Sequence, residues 1–363
     1  MKIAQVAPLT ESVPPKFYGG TERVVSYLTE ELVLRGHDVT LFASGDSETS
    51  ANLVPCCECS LRSDPDVRDP IPYYMMMLDR VRRMEADFDV LHFHIDQFHF
   101  PIFRTIAEKT LTTLHGRQDL PDLQKLYRAF PEMSVVSISN AQRRPIPFAN
   151  FAGTVYHGLP QALHRPVLHP HGGYFAFLGR ISPEKRVDRA IEIARAVGFP
   201  LKIAAKVDAV DVEYFEEMIA PLLKPDGVEY VGEISDGDKS SFLGEASALL
   251  FPIDWPEPFG MVMIEAMACG TPVLAFDHGS VREVIDEGIT GFIANDVQAA
   301  IAAVPSLLGL DRARVRQQFE KRFTASAMAR SYESLYARAF MRTPRLVPSN
   351  DETATGEFEA LIN

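Results

Sequence analysis

"KIAQVAPLTESVPPKFYGGTERVVSYLTEELVLRGHDVTLFA", residues 2–43, decides the fold. After one lysine, Ile3 to Ala7 make a short run stopped by Pro8, wrong for a signal peptide and right for a first strand. From Thr21 onward apolar residues fall at 24, 25, 28, 32 and 33, a stripe down one face of a helix. Gly36 suits the position just past the end of that helix, and "DVTLFA" at 38–43 reads as the next strand. Strand, helix and strand make a βαβ unit, so the sheet is parallel.

The same alternation continues outward. Strands are predicted at 89–94, 111–114, 133–138 and about 153–156. Pro160, Pro166, Pro170 and Gly172–Gly173 then mark a linker. A second series follows: "YFAFLG", helix 183–197, "LKIAA", helix 211–223, "VEYVG", helix 236–246 and "ALLFP". It runs on through helix 260–268, "PVLAF", helix 280–286 and "GFIA". The expected fold is α/β, with two doubly wound parallel-sheet domains at 1–165 and 170–323. A helix at about 324–341 should return to the first domain, and 343–363 should be a flexible tail. Ligands of such sheets bind beyond the carboxyl ends of the strands, so the cleft between the domains is the expected site.

Composition narrows the function. A formal charge of −13 over 363 residues disfavours nucleic acid and leaves at most peripheral membrane contact. No stretch is apolar enough to span a bilayer, and the expected location is cytoplasmic, with Cys56, Cys57, Cys59 and Cys269 reduced. "CCEC" lacks a second pair of ligands at zinc-site spacing. "DPD" at 64–66 sits in a polar, Pro-rich stretch rather than after a strand, and His92, His94 and His99 read as packing rather than as zinc ligands.

The chemistry gathers at predicted strand ends. "PLTESVPPKFYGG" is long for a strand-to-helix loop and closes on Gly19 and Gly20, where free N–H groups at a helix start suit a phosphate. The spacing is not that of a dinucleotide fingerprint. In "FLGRISPEKRVDRA", Ser182 is the expected N-cap and Lys185 falls in the first helical turn beside Arg180. Two cations crowded there make sense around an anion such as a diphosphate. In "PEPFGMVMIE", Pro256 and Pro258 keep Glu257 out of a helix that starts near Phe259 or Gly260, with Glu265 inside it. The two carboxylates should stand on the order of 10 Å apart, the span from a hexose to a ribose in a nucleotide sugar.

With these residues in hand, the chain resembles retaining glycosyltransferases of family 4, with the GT-B fold of two facing Rossmann-like domains. The E-x7-E signature falls on Glu257 and Glu265, and "GGTERVV", "GRISPEKRVDRAI" and "GSVREVIDEGITGFI" match in order. The resemblance implies that Glu265 binds the donor ribose, while Glu257 and the backbone of Phe259, Gly260 and Met261 hold the sugar. It implies that Arg180 and Lys185 neutralise the leaving diphosphate, approached by Gly20 from the other domain. His115 in "TLHG" would face the sugar, and the backbone at Ile234 would meet the base. The implied catalytic positions are thus His115, Glu257, Arg180 and Lys185. The expected reaction moves a hexose from a UDP- or GDP-sugar to an acceptor hydroxyl, with no metal and no cofactor. A sugar-nucleotide 2-epimerase of the same fold and a non-catalytic sugar-nucleotide binder are the alternatives. Ala205 and Lys206 depart from the glycine-rich sequence many relatives carry after that strand.

Overall fold

Strand after strand in this chain is buried on both faces, as in "VLHF" at 90–93, "ALLF" at 248–251 and "VLAF" at 273–276. Such runs need cover above and below, which parallel sheets obtain from their crossover helices. The computed structural model describes residues 1–16, 19–223 and 227–342, and shows two parallel sheets. The first holds β1 (Lys2–Val6), β2 (Asp38–Ala43), β3 (Asn52–Pro55), β4 (Val90–Phe93), β5 (Thr110–Thr113), β6 (Val135–Ser137) and β7 (Phe151–Thr154). Their order is β3-β2-β1-β4-β5-β6-β7. The second holds β8 (Phe175–Arg180), β9 (Leu201–Lys206), β10 (Val228–Gly232), β11 (Ala248–Phe251), β12 (Val273–Phe276) and β13 (Gly291–Ala294). Their order is β10-β9-β8-β11-β12-β13. The order reverses between β1 and β4 and between β8 and β11, so each sheet opens a crevice at its carboxyl edge there.

The last helix, Ala325–Arg342, belongs in space to the first sheet. Its Met328, Ala329, Tyr332 and Tyr336 share one buried cluster with Ile3, Val24, Leu28 and Leu32. The chain therefore crosses between the sheets twice, and the crossings touch. Leu159 N–H donates to Phe323 O at 2.9 Å, and Ala325 N–H donates to Leu159 O at 2.7 Å. A Cβ built on Gly158 would collide with the backbone of Thr324 and Ala325, so that junction requires glycine. Buried Arg312 fastens the linker to the second sheet, donating to the carbonyls of Val167, Ala246 and Gly244 and to Thr271 Oγ1.

Several elements differ from the sequence expectation. The β3 edge strand and the Ile71–Arg83 helix were not anticipated, because β3 is only half-buried and the helix opens within "DPIP". The 211–223 segment is not one α-helix but a relay of short 3-10, α and π turns. The helix expected at 183–197 spans only Val187–Ala196. The tail at 343–363 lies outside the described residues. Among the described residues no helix is long and apolar enough to cross a membrane.

Candidate active-site cleft

A cleft of about 820 Å³ opens where the carboxyl edges of the two sheets face each other. Gly19, Gly20 and His115 line it from the first sheet. Arg180, Lys185, Ile234, Glu257, Phe259, Gly260, Met261 and Glu265 line it from the second. Every residue assigned to the donor site by the resemblance thus reaches one cavity, and His92, His94 and His99 do not line it. The "CCEC" cysteines, Asp64 and Asp66 lie elsewhere.

Local backbone shapes the wall that carries Glu257. Gly260 has φ 79° and starts the Met261–Ala268 helix, whose first turn presents free N–H groups to the cleft. Gly279, at φ 60°, lies against Glu257 so closely that a Cβ there would enter the Glu257 backbone. Ser280 N–H donates to Glu257 O at 3.0 Å. The Glu257 loop is therefore held from behind by the "GS" pair after β12.

The two cations are not arranged as the sequence suggested. Residues 182–185 form a turn, closed by Lys185 N–H on Ser182 O at 3.1 Å. Arg186 then takes a left-handed backbone at φ 53° and occupies the N-cap of the Val187–Ala196 helix. Lys185 thus precedes the helix, and Ser182 does not cap it. Each cation is paired with carboxylates. Lys185 Nζ donates to Glu257 Oε2 at 2.6 Å. Arg180 reaches Asp208 Oδ2 at 3.2 Å and Glu184 Oε1 at 3.4 Å. Glu265, only 6% exposed, accepts from Lys239 Nζ at 3.3 Å. Lys239 also pairs with Asp236, and Asp236 pairs with Arg23 of the opposite domain. That chain of charges bridges the cleft.

On the first-sheet side, His115 Nε2 lies 2.9 Å from His94 Nδ1, and its ring stacks on His157 at 5.2 Å. His94 Nε2 donates to Gln5 Oε1 at 2.7 Å, and Gln5 Nε2 donates to Tyr336 OH at 3.2 Å. Tyr336 OH meets His92 Nδ1 at 2.7 Å. The histidine cluster is thus bonded to protein groups that lead back to the returning helix. Burial lowers the His115 pKa to about 3, so a neutral imidazole faces the cleft.

Residues 164–323 match the family model described as glycosyl transferases group 1, and residues 18–193 match that of glycosyltransferase family 4. The chain belongs to glycosyltransferase family 4. Over 383 aligned positions this glycosyltransferase is 26% identical to the phosphatidyl-myo-inositol mannosyltransferase of Mycobacterium leprae, covering 92% of this chain and 97% of that one. Its fold is GT-B. It is similar to the sucrose-phosphate synthase of Thermosynechococcus elongatus, with TM-score 0.76 and 18% identity over 94% of this chain and 100% of that one. It is also similar to Anabaena Alr3699/HepE in complex with UDP and glucose, with TM-score 0.68 and 16% identity over 93% of this chain and 100% of that one.

The structure of the glycosyltransferase adds residues that sequence reasoning passed over. Lys206 pairs in register with Arg180 across β8 and β9, and both bind Asp208. Burial alone would raise the Asp208 pKa, but hydrogen bonds from Lys206 and Arg180 hold it below the usual carboxylate value. Its signal was the departure from glycine at a strand end. Lys239 and His157 also line the cleft. Neither sits in a recognisable motif.

Proposed function

We propose that this enzyme transfers a hexose from a UDP- or GDP-sugar to an acceptor hydroxyl with retained anomeric configuration. The observation that carries the reading is the composition of the second-sheet wall. It combines three cations at strand ends and turns, Arg180, Lys185 and Lys206, with two nearly buried glutamates and a helix start at Gly260. Arg180 and Lys185 would exchange carboxylate partners for the diphosphate and stabilise the charge that grows on it. Glu265 would accept from the ribose diol and Glu257 from sugar hydroxyls.

Glu257 is a poor nucleophile as placed, since Lys185 and Trp255 both donate to its Oε2. The leaving phosphate itself would take the acceptor proton, on the face it departs from. The neutral His115 would pack against the sugar without adding charge. Catalysis then rests on positioning and electrostatics. The mannosyltransferase relative and the fold neighbour solved with UDP and glucose support a nucleotide-sugar donor.

The decisive experiment incubates the enzyme with UDP- and GDP-hexoses and follows donor by NMR. Slow hydrolysis to the sugar of the same anomeric configuration is expected. Epimerised donor, or binding without turnover, would reject transfer. Activity should survive EDTA, because the cations supply the neutralisation a divalent ion would otherwise give. Loss on chelation, restored by manganese, would reject the metal-independent reading.

A further inference from the structure

The chain contains a single tryptophan, Trp255, two residues before Glu257. It does not line the cleft but stands behind the wall. Its indole Nε1–H donates to Glu257 Oε2 at 3.0 Å, the same oxygen that accepts from Lys185 at 2.6 Å. The Lys185 ammonium also lies 4.7 Å from the Trp255 ring centroid and 5.7 Å from that of Phe251. Glu257 N–H donates in turn to Trp255 O at 2.8 Å, closing the loop on itself. The Glu257 and Lys185 side chains are 10% and 17% exposed, so these contacts act in a poorly hydrated setting that strengthens them.

We infer that Trp255 is a positioning residue that fixes both Glu257 and Lys185 for the donor. A glutamate carboxylate turns about its last torsion with little preference. The indole N–H restricts that freedom, holding Oε2 even when Lys185 turns to the diphosphate, and leaves Oε1, which no hydrogen bond reaches among the described residues, as the acceptor for a sugar hydroxyl. The ring face does a separate job. It holds the ammonium by cation–π attraction between the carboxylate and the place of the leaving phosphate. The two jobs belong to different parts of one side chain, so they can be separated. The inference rests on the nucleotide-sugar reading above.

With one tryptophan, ¹⁵N-labelled enzyme gives one indole cross-peak. Glu257→Gln should move that peak, and Glu265→Gln should leave it in place. Trp255→Phe keeps a ring face and loses the N–H. It should lower kcat about tenfold, the worth of one hydrogen bond to a charged group, with calorimetric affinity for UDP or GDP unchanged. Trp255→Leu loses both parts and should weaken nucleoside diphosphate affinity as well. Melting temperatures taken alongside separate these effects from misfolding. An indole peak indifferent to Glu257→Gln, or full kcat in Trp255→Phe, overturns the inference. Full turnover in Glu257→Gln with a shifted indole peak would instead overturn the sugar-binding role of Glu257, leaving the pairing intact. If neither UDP nor GDP binds the unsubstituted enzyme, the donor reading falls, and the indole shift still decides the pairing.

Discussion

Lys185 and Glu257 form a pair that donor would rearrange on the proposed reading, and that sets expectations for single substitutions. Arg180→Ala and Lys185→Ala should each weaken nucleoside diphosphate at least tenfold, the loss of a charge-assisted contact of ~1.5–3 kcal/mol. Unchanged calorimetric affinity in both would remove the diphosphate from that wall. Glu265→Ala should weaken free UDP or GDP, because the ribose is common to every donor. Glu257→Ala should spare nucleotide affinity and lower kcat. Equal losses of affinity would refute the division of labour. Sequence alone led to these residues because motif spacing and strand-end position are both legible in one dimension. It misplaced their electrostatics. The Lys185–Glu257 contact joins residues 72 positions apart, and nothing local announces it. Trp255 was missed for a related reason. A tryptophan beside a motif reads as packing until the oxygen it donates to is known.

At the scale of elements, the glycines that frame the wall make contrasting tests. Gly279→Ala forces a side chain into the Glu257 backbone at φ 60°. It should cost on the order of 10²-fold in kcat through a displacement of an ångström or less. Gly20→Ala meets no neighbour among the described residues within 4 Å, so the melting temperature should hold while donor affinity falls. Thermal melts and kinetics on the two variants check both outcomes. The buried histidines add a pH dependence. Burial holds His92, His94, His99 and His157 well below their ordinary value of 6.5, and His115 at about 3. Below about pH 6.5 the unfolded chain takes up protons that the folded chain refuses, so stability is full above that pH and declines on acidification. The melting temperature should fall between pH 7 and 5.5. A flat profile would mean these imidazoles are charged or hydrated in the fold. Strands and helices with strong period were readable, and the βαβ alternation of both sheets followed. The 211–223 relay and the half-buried β3 were not, because tertiary packing rather than pattern shapes them.

Across the whole molecule, the Arg23–Asp236–Lys239–Glu265 chain of ion pairs links the two sides of the cleft, and on the proposed reading it would tie closure to the carboxylate that accepts from the ribose. Asp236→Asn should enlarge the radius of gyration in solution scattering, and saturating donor should bring it back by bridging the domains. Superimposable curves for both proteins, with and without donor, would show that the bridge does not govern closure. The returning helix has a consequence in time rather than in space. The last strand of the first sheet ends at Thr154, yet the helix that covers Ile3, Val24 and Leu32 ends at Arg342. At about 5–20 residues per second, roughly 190 further residues take the ribosome roughly 10–40 s. The second sheet, with its helices through Arg322, is fully synthesised within that interval. The half of the enzyme made first is therefore finished last, and its apolar face stays uncovered until the helix ending at Arg342 has been made.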